Sequence, residues 1–207
     1  MLWWLWWLLL ALTVVGLAFS NQRITVVHEF TIEDTPQYSL AFSFVMIVVM
    51  AAVIMFGVWG ARVYAAERSY ARALRSTNYA AAEAELVRAL ERRGNADMYH
   101  VAMAQVYLLQ AVEESRVAKP DVQKISTLLG RAVNEARVAT DLAPRSVAIW
   151  ENLATMYENA AVLVPAARDW AIKTLQQARS LEPTNPLLAW RLGNNLALAG
   201  SWDEAVK

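Results

Sequence analysis

The 207 residues carry 19 basic and 19 acidic side chains, and there is no cysteine. This balance argues against a dedicated nucleic-acid binder, whose affinity comes from an excess of Lys and Arg; without thiols, disulfide scaffolds, iron–sulfur clusters, thiol catalysis and cysteine zinc sites are excluded. The charges are unevenly spread: residues 1–61 hold one basic and three acidic groups, and residues 62–207 hold 18 and 16. The pattern reads as a membrane segment followed by a water-soluble one.

From Met1 to Gln22 no side chain is charged. A helix over this run is about 33 Å long, enough for a hydrocarbon core of roughly 30 Å, so a first span is expected over about residues 2–20. Trp3, Trp4, Trp6 and Trp7 crowd its start, where indole rings favour the headgroup level. A cleaved signal peptide is the alternative, with Ala18 and Ser20 as a small-x-small site but no positive n-region. A second uncharged run extends from Thr35 to Ala61 and is closed by Arg62, which predicts a second span over about residues 38–61. Between the two, residues 22–34 alternate apolar and polar side chains with an imperfection at Val27 and His28, which suggests a short strand on the bilayer surface.

Charge placement orients the hairpin. The inter-span loop has one Arg and three acids, whereas Arg62, Arg68, Arg72 and Arg75 follow the second span with only Glu67 among them. The positive-inside rule therefore places the soluble part in the cytoplasm, with or without cleavage of the first span. No residue between Arg62 and Arg75 breaks a helix, so the second span is expected to run on into the soluble part and mount it rigidly.

The soluble part repeats itself. Ala82, Leu86, Ala89 and Gly94 are separated by 4, 3 and 5 residues, as are Ala132, Ala136, Ala139 and Pro144, and Ala171, Leu175, Ala178 and Pro183; a further copy begins at Ala205. Steps of four and three put small or apolar residues on one helical face, where alanine lets a neighbouring helix come close, and the fourth position ends the helix. Upstream of each lies another amphipathic helix with a matching triplet: Ser69, Tyr70, Ala73; Met103, Ala104, Tyr107; Leu153, Ala154, Tyr157; Leu192, Gly193, Leu196. Trp150 and Trp190 are expected to fill the groove between helices.

This pattern resembles the tetratricopeptide repeat, whose unit is a helical hairpin carrying Leu-Gly/Ala, Tyr, a turn, Ala, a large apolar residue, Ala and Pro. The expected fold is all-α: two transmembrane helices (1–61), then an α-solenoid of such hairpins in units of about 62–94, 95–144, 145–183 and 184–207. The middle triplet residue precedes the second-helix alanine by 12 residues in units one and four, but by 28 in unit two and 17 in unit three. The extra residues are expected to lengthen the hairpins, either as a longer stack or as a protruding docking arm. Pro120 and Pro165 are expected to open the second helices, and Ser201 with Glu204 to form a capping box. The last helix is short, and the chain is expected to be a fragment or to have lost further repeats.

Catalytic chemistry is not expected. His28 and His100 fall on opposite sides of the presumed membrane, and two ligands do not make a zinc site, so no metal and no cofactor are expected. Nucleotide-binding, nucleophile-elbow and zincin motifs are absent, and no small-molecule substrate is evident. The resemblance implies instead a concave face, lined by the first helix of each unit, that holds a protein or peptide partner. Its lining here would include Gln105, Glu151, Asn152, Thr155, Glu158, Asn159, Arg191 and Asn194. Glu151 and Thr155 stand where chaperone-binding relatives carry a Lys and an Asn, which speaks against an acidic C-terminal tail as ligand.

The hairpin and the stretch FTIEDTPQYSL look like the anchors of HemY-type inner-membrane proteins. The two spans with YAAERSYARAL, DMYHVAMAQVYL and WAIKTLQQARSLEPTNP are also similar to the C-terminal part of O-antigen ligase or polymerase-like glycan transferases. The first resemblance implies a bacterial inner-membrane scaffold bound to the lipid bilayer. The second implies the regulatory tail of a multi-span enzyme.

Overall fold

A computed structural model describes residues 36–206, with side chains from Ser43 onward. The expected first span and the surface strand over 22–34 lie outside the described residues. Within the described residues there are eight helices and no strand: α1 (Pro36–Arg75), α2 (Tyr79–Arg92), α3 (Asp97–Ser115), α4 (Val122–Leu142), α5 (Val147–Ala160), α6 (Ala167–Leu181), α7 (Pro186–Leu198) and α8 (Trp202–Ala205). The chain divides into two compact units, Met1–Val53 and Ile54–Lys207.

Helix α1 is long and apolar enough to cross a membrane, and no part of its apolar stretch is buried. Phe44, Met46, Ile47, Met50, Met55, Phe56 and Trp59 leave 48–68 % of their surface exposed. A helix that is apolar on all sides lacks the polar stripe of a surface helix in a water-soluble protein.

In the second unit, α2 packs on α3, α3 on α4, α4 on α5, α5 on α6, α6 on α7 and α7 on α8, with a lesser contact between α3 and α5. Each helix therefore leans mainly on its neighbours in sequence, as in a repeat stack. The alanine-rich phase is the seam: Ala82, Leu86 and Ala89, Ala132, Ala136 and Ala139, and Ala171, Leu175 and Ala178 are all 0–2 % exposed. Ala73, Leu86, Met103, Ala104, Tyr107, Ala132, Ala136, Leu153 and Met156 belong to one core cluster, and Ala154, Leu175, Ala178, Leu188, Leu192 and Leu196 form another. Half-buried Trp150 touches both clusters, and its indole N–H donates to the Pro144 carbonyl at 2.8 Å.

Local chemistry sets the helix ends. Asn78 caps α2 by accepting from the N–H groups of Ala80 and Ala81, Asp121 caps α4 through Lys124 N–H, and Asn185 caps α7 through Leu187 N–H with Pro186 in its first turn. Helices α2, α4 and α6 stop two residues before Gly94, Pro144 and Pro183. Gly200, at φ +84°, closes α7: its N–H bonds Ala197 O at 3.0 Å, and Ser201 N–H bonds Leu196 O at 2.9 Å. This paired closure needs a left-handed residue, which glycine supplies without strain.

Four local expectations are corrected. Pro120 and Pro165 do not open α4 and α6 but stand one residue before their N-caps, Asp121 and Ala166. The carboxylate of Asp121 takes the capping role that a proline cannot fill. In unit two the extra residues do lengthen both helices, to 19 and 21 residues, and Ala111, Ile125, Leu128 and Leu129 continue the buried seam. In unit three they form a series of turns over 161–166, and α5 and α6 keep 14 and 15 residues. Pro165 lacks the N–H that a continuing helix would present to the Ala161 carbonyl.

Ser201 occupies the cap position of α8 but makes no side-chain capping bond, so the capping box does not form. Trp190 does not fill an interhelical groove; it is 67 % exposed. Trp150 lies three residues before Leu153 and shares its face, whereas Trp190 lies two before Leu192, which turns it about 200° away.

Candidate functional site

The inward faces of α3, α5 and α7 bury Met103 and Ala104, Leu153 and Ala154, and Leu188 and Leu192. What remains outward recurs at steps of three, four and four residues: Met98, Val101, Gln105 and Leu109; Ala148, Glu151, Thr155 and Asn159; Leu187, Trp190, Asn194 and Leu198. These steps follow one helical stripe. Helix α3 contacts α5, and α5 is tied to α7 by side-chain hydrogen bonds, so the three stripes belong to adjacent helices.

The eight candidate residues divide into two groups. Gln105 and Asn194 are exposed, and Glu151 is partly exposed, each on its outward stripe. Thr155, Glu158 and Arg191 are brought together, but they bind each other. The Arg191 guanidinium donates to Thr155 Oγ1 at 3.0 Å and to Glu158 Oε2 at 2.7 Å. Asn195, only 2 % exposed, donates to the other Glu158 oxygen at 2.7 Å and accepts from Arg168 at 3.2 Å. The cluster is chiefly a polar seam between units three and four, in which buried groups satisfy each other.

Asn159 folds back on its own helix, donating to Thr155 O at 2.7 Å. Asn152 is half-buried, and its amide oxygen lies out of solvent without a hydrogen-bond partner. Asn195 and Arg168 were not legible as members of the seam, because each sits where a helical face is read as interior or as surface. Of the outward apolar residues Met98, Leu109, Leu187, Trp190 and Leu198, the sequence reading named only Trp190, and as a groove filler, although their spacing carries the signal. They are 53, 42, 54, 67 and 62 % exposed, respectively.

His100 is an interfacial histidine: its ring nitrogens lie 2.7 Å from a Glu135 carboxylate oxygen and 3.0 Å from the Gly94 carbonyl, so both are occupied. Among the described residues no group of three or more His, Asp or Glu side chains could hold a metal ion. Burial pushes the Tyr99 hydroxyl up to about 12, with the Glu67 carboxylate adding to the effect, and burial followed by Glu83 raises Tyr107. Both groups stay neutral near pH 7 and line the hairpin core. An apolar cleft of about 230 Å³ opens between α4, the end of α5 and the turns over 161–166, lined by Leu129, Gly130, Val133, Tyr157 and Leu163 among others.

No family model matches the chain, and no curated protein matches it. Among solved structures it is similar to TTC0263, a thermophilic TPR protein of Thermus thermophilus, at 18 % identity over 71 % of this chain and 86 % of that one, with a TM-score of 0.44. It is also similar to PilF of Pseudomonas aeruginosa, at 18 % identity over 70 % of this chain and 73 % of that one, with a TM-score of 0.34.

Proposed function

We propose that the chain is a membrane-anchored adaptor whose tetratricopeptide-type hairpins hold a protein or peptide partner on the outward stripes of α3, α5 and α7. Its N-terminal part forms a two-span hairpin in the bilayer, and the repeat part faces the cytoplasm, as the arginines after Ala61 favour. The apolar, unburied surface of α1 supports the anchor. The observation that carries the binding role is the shared register of the three stripes: adjacent helices repeat one outward pattern while their opposite faces are consumed in packing. A surface of this kind presents a row of side chains to an extended or helical segment.

The test is affinity capture of the detergent-solubilised full chain, compared with a triple variant Gln105→Arg, Glu151→Arg, Asn194→Arg. These positions point outward and leave the Arg191–Glu158 seam intact. At least one species held by the parent protein should fall about tenfold or more, the loss expected when the centre of an interface is blocked. An identical bound set at identical levels would remove the role of this face.

A further inference from the structure

Helix α1 passes from its apolar stretch into the repeats without a break, and from Ile54 onward it belongs to the same compact unit as they do. Trp59, Arg62 and Tyr64 are exposed, and the first buried residue is Ala66. Arg62 is the first charged residue after the apolar run, and it stands only about 6 Å before Ala66 along the axis, at 1.5 Å per residue. Packing of the repeats starts at that level. Ala66 shares a cluster with Ala89, Ala96 and Tyr99, which come from the end of α2, the α2–α3 turn and the start of α3.

Three contacts fasten this turn to α1. Arg92 donates to Ser69 Oγ at 3.0 Å, Arg93 donates to a Glu67 oxygen at 3.2 Å, and the Tyr70 and Tyr99 rings lie 5.0 Å apart. Helix α2 returns along α1, with Ala82 in one cluster with Ala73 and Ala89 in another with Ala66. The residues that follow Ala89, ending in Arg93, Gly94 and Asn95, therefore run on toward the level of Arg62.

From this we infer that the α2–α3 turn rests on the headgroup layer of the bilayer, so that the lipid surface is a second binding partner of the repeat part. That layer is roughly 5–7 Å thick on each face. A turn fastened so close to the end of the apolar run cannot stand clear of it. The exposed side chains suit the place: Tyr64 and Met98 offer surface to the interface, and Asn95 offers an amide to phosphate and ester oxygens. Residues 62–69 and 91–98 together hold four basic and three acidic side chains, with Arg93 already paired to Glu67. The contact is thus set by position along α1 rather than by charge, and a zwitterionic lipid meets it. Its effect is to keep the repeats from swinging about Arg62. This inference rests on the anchor proposed above and adds a lipid-facing surface to it.

The experiment uses the full chain in phosphatidylcholine nanodiscs. Because the chain has no thiol of its own, a fluorophore can be placed on a single cysteine at Phe56, Asn95 or Ala118. Ala118 follows α3, whose 19 residues put it about 28 Å from the turn. A nitroxide on the lipid headgroup should quench the Asn95 label at least about threefold more than the Ala118 label, and a nitroxide on the acyl chain should quench the Phe56 label. Seven alanines inserted after Arg62 add about two helical turns, keep the face of α1 and lift the repeats by about 10 Å. Quenching at Asn95 should then fall to the Ala118 level, with Phe56 unchanged.

A Phe56 label out of reach of the acyl-chain nitroxide would refute the anchor, and the inference with it. A quenched Phe56 with Asn95 no more quenched than Ala118 would leave the anchor standing and overturn the lipid contact. Asn95 quenching that survives the insertion would show that α1 does not hold the turn on the bilayer, which overturns it as well.

Discussion

Leu175→Ala should lower the stability of the repeat part by about 3 kcal/mol, the typical cost of removing a fully buried leucine side chain and leaving a cavity. Leu175 is 0 % exposed and belongs to the cluster with Ala154, Ala178, Leu188, Leu192 and Leu196, so it touches units three and four together. Ala154 and Ala178 in the same cluster are too short to reach into the space. The matched control is Gln176→Ala on the next residue, which is exposed and should change stability by no more than about 0.5 kcal/mol. Urea unfolding of the full chain in detergent, followed by tryptophan fluorescence, separates the two. Equal midpoints for both variants would mean that α6 does not bury this face.

Glu158→Ala should cost about 2 kcal/mol, because it leaves the Arg191 guanidinium short of its anionic partner and the buried Asn195 short of one acceptor. The side chains of Arg191 and Glu158 are 16 % and 26 % exposed, whereas Arg88 in the Arg88–Glu85 pair on α2 is 55 % exposed. A double-mutant cycle on Arg191 and Glu158 should therefore give a coupling above about 1 kcal/mol, and one on Arg88 and Glu85 a smaller value. The loss should also be local: amide exchange should speed up in α7 and α8 before it does in α3 and α4. Equal couplings for the two pairs would show that the seam contributes no more than a surface contact.

The repeat was legible because its helices approach closely. A close approach demands small residues at fixed steps, so Ala132, Ala136 and Ala139 carry the register in the letters themselves, and all three are fully buried. Gly193 extends the same logic: a Cβ there would stand 3.2 Å from the Ala205 carbonyl oxygen. The site was less legible. Thr155, Glu158 and Arg191 are polar residues on an outer flank of their helices, and sequence spacing alone cannot say whether such side chains face a partner or each other. Only the juxtaposition of α5 and α7 decides that, and it turns three of the eight candidates mainly into structural bonds.

Trp190 was misplaced for a different reason. Tryptophan suggests burial by its type, but its position two residues from Leu192 puts it on the opposite side of the helix, and position outweighs type. The turns over 161–166 illustrate a third limit. Extra residues can enter a hairpin as helix, as in unit two, or as turns, as in unit three; both insertions carry a proline, Pro120 and Pro165, so their residue types do not tell the two outcomes apart.

A partner can be held on the outward stripes only if α3, α5 and α7 lie side by side in chain order and present one face. Because the chain has no cysteine, spin labels can be placed pairwise at Gln105, Thr155 and Asn194 without background. EPR distances should then give two similar short separations, Gln105–Thr155 and Thr155–Asn194, each near one helix spacing of about 10 Å, broadened by the labels, and a Gln105–Asn194 separation roughly twice as long. A Gln105–Asn194 separation as short as the other two would mean that the three helices close into a bundle, leaving no row of stripes for a partner to read.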